Sequence, residues 1–164
     1  MANPNNAFGF EVLQTEGKEN RVRKYAKTAG TALYPGDAVK LVSAGTVSIA
    51  AAGDQIVGVC SEYRAAADTE VNVYDDPHME FFAQCSADFA AADVGQNANI
   101  VANAADTTLK QSNHTIDSAS FGTESAKQFK ILGLLAKGEN AVGSYAMVRV
   151  MPNNHAFKTG VSSI

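Results

Sequence analysis

The chain has 164 residues, 46% hydrophobic and 18% charged, with 13 glycines, no tryptophan and a formal net charge of −4. A chain of this length suits one domain and buries roughly two thirds of the surface its unfolded form exposes, so a disulfide or metal staple is not required. The charge balance excludes the clustered Lys and Arg footprint of a nucleic-acid binder, and no run approaches the ~18 continuous apolar residues of a membrane span.

Residues 1–20 set Phe8, Phe10, Val12 and Leu13 among asparagine, proline and glycine, which reads as an extended arm. Its aromatics need a surface: a neighbouring subunit or larger partner, or the chain's own body. Met1 to Asn6 has neither a cationic nor an apolar region, so no signal peptide is expected. Charge is uneven along the chain. Residues 1–30 carry a net +2, whereas 54–93 hold nine acids against Arg64 alone, an asymmetry that steers two ends of a molecule toward different surfaces.

Arg21-Val22-Arg23-Lys24-Tyr25 alternates and predicts a strand with a basic outer face. From Tyr34 to Tyr63 three short alternating runs follow, around Ala38 to Leu41, Thr46 to Ile49 and Ile56 to Val59. They are divided by Pro35-Gly36-Asp37, Ala44-Gly45 and Gly53-Asp54, the punctuation of half-buried antiparallel strands. Thr69 to Tyr74 alternates with Val71 and Val73 inward, and Asp75-Asp76-Pro77 stops it because proline cannot donate to a ladder. His78 to Cys85 makes another strand with Met79, Phe81, Ala83 and Cys85 on one face. Residues 86–95 are the one helical expectation, with Asp88 as cap and Gly95 as a left-handed terminator. Asn99 to Ala102 resumes as strand, and 103–126 reads as a polar surface loop or loose hairpin anchored by Leu109, Ile116 and Phe121. Phe129 to Leu135 and Tyr145 to Met151 are the last strands.

Roughly nine short strands with turns between them and no βαβ pattern predict an all-β fold. It is an antiparallel barrel or sandwich with one short helix and extended N- and C-terminal arms. The organisation expected is an arm over 1–20, one β-rich domain over 21–151, and a second arm over 152–164 carrying Phe157.

Signals for chemistry are sparse. His78, His114 and His155 lie far apart in polar contexts, without zinc spacing. Asp75, Asp76 and Glu80 form the densest carboxylate group, which suits acid–base work or a hard cation, but an Asp-Asp-Pro turn explains it more simply. Cys60 and Cys85 sit inside apolar strands as buried free thiols, the pattern of a chain made in a reducing cytoplasm. No nucleophile elbow or phosphate-binding loop is present. No enzyme activity, metal or cofactor is expected.

Several segments together resemble virion structural proteins of tailed bacteriophages. They are Tyr34-Pro35-Gly36-Asp37-Ala38-Val39, Gly53-Asp54-Gln55-Ile56-Val57-Gly58-Val59, Tyr74-Asp75-Asp76-Pro77 leading to Phe81-Phe82-Ala83-Gln84, Val94 to Ala98, Ile131 to Leu134, and Asn153-Asn154-His155. Within that group the chain looks most like the capsid decoration, or cement, proteins, over most of its length from about residue 30. These motifs bear the fold rather than contact residues. The resemblance implies a β-rich module that binds the capsid exterior as a homotrimer or homodimer and clamps neighbouring major capsid protein subunits. It would be assembled in the host cytoplasm and carried on the virion, without nucleic acid or membrane as partner. Placed on that role, the arms and the basic strand nominate Phe8, Phe10, Arg21, Arg23, Lys24 and Phe157 as shell contacts. The alternative is a phage receptor- or glycan-binding module with its site in 103–126.

Overall fold

The computed structural model describes residues 3–13 and 20–160. They form fourteen strands: β1 (Glu11–Val12), β2 (Val22–Ala26), β3 (Ala38–Leu41), β4 (Val47–Ile49), β5 (Gly58–Cys60), β6 (Glu70–Tyr74), β7 (Phe81–Gln84), β8 (Asp88–Phe89), β9 (Asn97–Ala98), β10 (Ile100–Val101), β11 (Thr115–Ile116), β12 (Phe129–Leu134), β13 (Gly143–Ser144) and β14 (Met147–Pro152). All the ladders between them are antiparallel. The expected all-β fold is what the chain adopts, as a sandwich and not as a closed barrel.

One five-stranded sheet runs β1-β7-β14-β12-β9 and the other β2-β6-β5-β3-β4, with two-stranded ribbons β10-β11 and β13-β8 beside them. Period-2 alternation sends neighbouring residues to opposite faces. In β3 and β5, Ala38 and Val59 therefore face the first sheet, where they join Phe81, Ala83, Phe129, Ile131, Val148 and Val150 in the main core. Val39 and Cys60 face the other way, into a second cluster with Leu33, Val47, Val57, Val71 and Val73.

A sheet buried on both faces needs a cover for the second face, and the second sheet supplies its own by curling. Just past β2, the Thr28 N–H donates to the Val47 carbonyl of β4 at 2.9 Å, and Lys27 bridges Val47 in parallel. One bridge joins the two edges; no continuous ladder closes them.

Of the surfaces left open for the N-terminal arm, its described residues use the chain's own body. Asn3 donates to the Ala141 and Ser144 carbonyls at 2.8 and 2.9 Å, and Gln84 brackets the backbone of Pro4 and Asn6. β1 pairs with β7. Phe10, 2% exposed, stacks on Phe129 with ring centroids 4.4 Å apart. The described part of the N-terminal segment is therefore a built-in edge of the fold, because its aromatics find their apolar surface on the same chain. The rest of the 1–20 arm lies outside the described residues. The C-terminal segment is stitched down as well: Ile56 N–H donates to the Asn154 carbonyl and Ala156 N–H returns to the Ile56 carbonyl. Residues 161–164 of that arm lie outside the described set.

The expected helix over 86–95 is absent. Asp88 pairs in β8 with Ser144 of β13, and only Ala91–Asp93 turns, as a single 3-10 turn. So few residues do not repay the cost of nucleating an α-helix. Asp93 caps the turn by accepting from the Ala90 N–H at 2.7 Å, and Gly95 leaves it at φ +88°.

Candidate interaction surface

Strand β2 places Arg21 just before its start and Arg23 and Tyr25 on one face, and all three converge on Asp75 at the end of β6. Register does this, since Val22 pairs with Tyr74 and Arg23 with Val73. Asp75 is fully buried. Its carboxylate accepts from Arg21 Nε at 2.8 Å and from the Tyr25 hydroxyl at 2.7 Å, and Arg23 Nε lies 3.2 Å away. Burial pushes the Asp75 pKa up, but Arg21, Tyr25 and Arg23 outweigh that and hold it below the usual carboxylate value. The same cluster raises Tyr25 to about 12, through burial first and its bond to Asp75 second.

Two guanidiniums on one carboxylate leave the cluster positive, and the side chains of Arg21 and Arg23 are 47% and 53% exposed. The C-terminal segment completes the surface. Phe157, 49% exposed, lies with its ring centroid 6.0 Å from the Arg23 guanidinium, and Lys158 Nζ donates to the Pro77 carbonyl at 3.0 Å. A shallow groove of about 580 Å³ runs beside it past Gln55, Asn154, Phe157 and Lys158. Exposed arginine and aromatic residues on a rigid frame are the side chains that carry binding energy at protein interfaces.

Of the six nominated contacts, Arg21, Arg23 and Phe157 come together here. Lys24 sits on the opposite face of β2, 3.1 Å from Glu70. Phe8 lies elsewhere, its ring 5.7 Å from that of Phe82. Phe10 is in the core and unavailable to a partner, which removes it from the set. The acids Asp75, Asp76 and Glu80 do not assemble a site. Asp76 accepts from the His78 N–H at 2.8 Å within the turn, and Glu80 pairs with Arg149 at 2.7 Å. Among the described residues no group of three His, Cys, Asp or Glu side chains is placed to hold a metal ion.

The polar segment 103–126 also departs from expectation. Its tip is exposed and Leu109, an expected anchor, is 70% accessible; Ile116 is buried as expected, and the polar Ser112, His114 and Thr115 are buried with it. His114 Nδ1 accepts from the Ala38 N–H at 3.2 Å, so Nε2 carries the proton and points at Asp37 Oδ1, 3.6 Å away. Ser112 also bonds the Asp37 carboxylate, whose other oxygen accepts from the Tyr34 N–H at 2.9 Å. A serine, a histidine and an aspartate thus meet, but the hydroxyl serves the carboxylate instead of the imidazole and all three are buried. They tie the Tyr34–Asp37 turn to residues 112–114, and the Gly36 carbonyl takes the Phe10 N–H at 3.0 Å. His114 and His155 are both buried, whereas the His78 side chain is exposed.

Sequence reasoning gave Asp75 to a turn; the signal that points to it as an arginine anchor is the Arg-x-Arg-x-Tyr alternation, once β2 is paired with the strand that Asp75 follows. The Asp37 cluster had no such signal, because Ser112 and His114 sit in a stretch whose composition is that of a surface loop. No family model, no curated protein and no solved structure matches this chain.

Proposed function

We propose that this chain is a non-enzymatic capsid decoration protein of a tailed phage. It binds the head exterior and braces adjoining major capsid protein subunits, acting as a homotrimer or homodimer. The observation that supports it is the Arg21, Arg23 and Phe157 surface, a positive and aromatic patch on a chain of net charge −4, mounted on a buried carboxylate that fixes its geometry. The turn and strand motifs resembling phage virion proteins supply the context. Binding of this kind uses rigid frames and repeated modest contacts, since many copies on one shell act multivalently.

The test is co-sedimentation with mature and precursor heads of the encoding phage. Wild-type protein is expected to pellet with mature heads, less so as salt rises. An Arg21→Gln, Arg23→Gln, Phe157→Ala variant should remain in the supernatant; glutamine keeps an amide donor for Asp75 while deleting the charge. Equal pelleting of a folded variant would remove this surface from the proposal, and failure of the wild type to bind heads would remove the proposal itself. The groove amides of Gln55 and Asn154 beside Phe157 favour a second reading, a glycan-binding module, which a glycan array would reveal.

A further inference from the structure

Strand β2 is the outer strand of its sheet, and it meets β4 only beyond its end, through Lys27 and Thr28. Among the described residues no strand pairs with the far side of Val22–Tyr25. Which backbone groups face that side follows from the ladder. Lys27 N–H donates to the Thr69 carbonyl of the neighbouring chain segment at 2.7 Å, and antiparallel bonding alternates residue by residue. Tyr25 and Arg23 therefore point their backbones at β6, while Val22 and Lys24 turn their N–H and C=O groups outward.

On one face of this edge two arginines share the single buried carboxylate of Asp75 and leave an excess of positive charge, while on the other face Lys24 pairs with Glu70. Arg21 and Arg23 stand two residues apart, a spacing of roughly 6.8 Å along a strand. An extended segment with carboxylates at alternate positions has the same spacing, and its acids would sit directly across from the two arginines as cross-strand pairs. Arg23 meets Asp75 through Nε at 3.2 Å, and the fork of a half-exposed guanidinium has further N–H donors that suit a second carboxylate. Basic residues on an edge strand commonly prevent sheet-to-sheet aggregation. Here they do so selectively: a second β2 would set arginine and lysine against arginine and lysine, whereas an acidic strand gains from the same charges.

The geometry points to the open edge of β2 as the docking site for an extended acidic segment of a protein partner. The segment adds as a further strand on the outward backbone groups of Val22 and Lys24, with carboxylates at alternate positions facing Arg21 and Arg23. This rests on the decoration reading in taking the shell as the partner, and it specifies the chemistry of the shell element.

The probe is a blocked peptide alternating glutamate and valine, with its lysine counterpart as control, added to isotopically labelled full-length protein. The Val22 and Lys24 amides are expected to gain exchange protection with the glutamate peptide and not with the lysine one. Lys24→Pro removes an outward donor that the internal ladder does not use, so it should melt near wild type and bind about tenfold more weakly, as loss of a backbone bond implies. Lys24→Ala keeps that donor and should bind more tightly than Lys24→Pro. Val22→Pro serves the same purpose if Lys24→Pro does not fold.

Unprotected Val22 and Lys24 amides at peptide saturation, or equal protection by the lysine peptide, would overturn strand addition. So would polygalacturonate binding as tightly as the glutamate peptide, which would mark the surface as a general anion site. Heads that pellet wild type and Lys24→Pro equally would retain the decoration reading and reject the strand. Peptide protection without head binding would do the reverse.

Discussion

Asp75 shows how one side chain settles a local structure and its pH response. It is buried with its carboxylate held by two guanidiniums and a phenol, and its pKa is lowered in the fold. Its contribution is therefore complete above the unfolded value of about 3.9 and disappears as pH falls through the folded value. Asp75→Asn should cost about 1.5–3 kcal/mol at neutral pH, the range for hydrogen bonds to a charged group, and the difference in melting temperature from wild type should shrink below about pH 4. His155 responds in a different window. Burial lowers it from 6.5 to about 4, so its stabilising neutral form is complete above about 6.5 and is lost between 6.5 and 4, worth roughly 3 kcal/mol at 1.36 kcal/mol per unit. Thermal melts across that window should fall more steeply for wild type than for His155→Gln; parallel curves would show that His155 does not govern the response. Neither residue's burial was legible in sequence. Asp75 stands in a turn with a second acid, and His155 stands in a polar tail, so composition marked both as exposed.

At the scale of elements, the strands were largely legible and the segments between them were not. Alternation located β2, β3, β4, β6, β7, β12 and β14; in β6, β7, β12 and β14 one face lies in a core and burial imposes the period. The arms misled because a spaced aromatic in polar sequence looks the same whether its apolar surface belongs to another molecule or to the same chain. Phe10 stacked on Phe129 decides that question. Phe10→Ala should cost about 3–5 kcal/mol, the range for a buried phenylalanine, read from the urea midpoint; a loss below about 1 kcal/mol would mean the segment is dispensable. Gly58 carries a similar constraint within β5. A Cβ there would lie 2.0 Å from the Tyr74 carbonyl oxygen of β6. Gly58→Ala therefore has to push two paired strands apart, and about 1–3 kcal/mol or more of overpacking strain is expected in the same assay.

For the whole molecule, most stabilising pairs join distant sequence: β1 with β7, β9 with β12, and β7 with β14. A topology of this kind folds on the scale of milliseconds to seconds, which stopped-flow refolding would check; a microsecond phase accounting for the full signal would contradict it. The two sheets also divide the chain unequally. All strands of the curled sheet fall between Val22 and Tyr74, whereas the other sheet draws on Glu11–Val12 and on Phe81 through Pro152. In the β1-β7-β14-β12-β9 sheet β14 lies between β7 and β12, so the last of the described strands to leave the ribosome is an interior one. During synthesis the first half can fold as it emerges. The Phe10 segment must wait for Phe129 and for the sheet that β14 completes, and a nascent chain arrested before residue 147 should keep its curled sheet while leaving its beginning undocked.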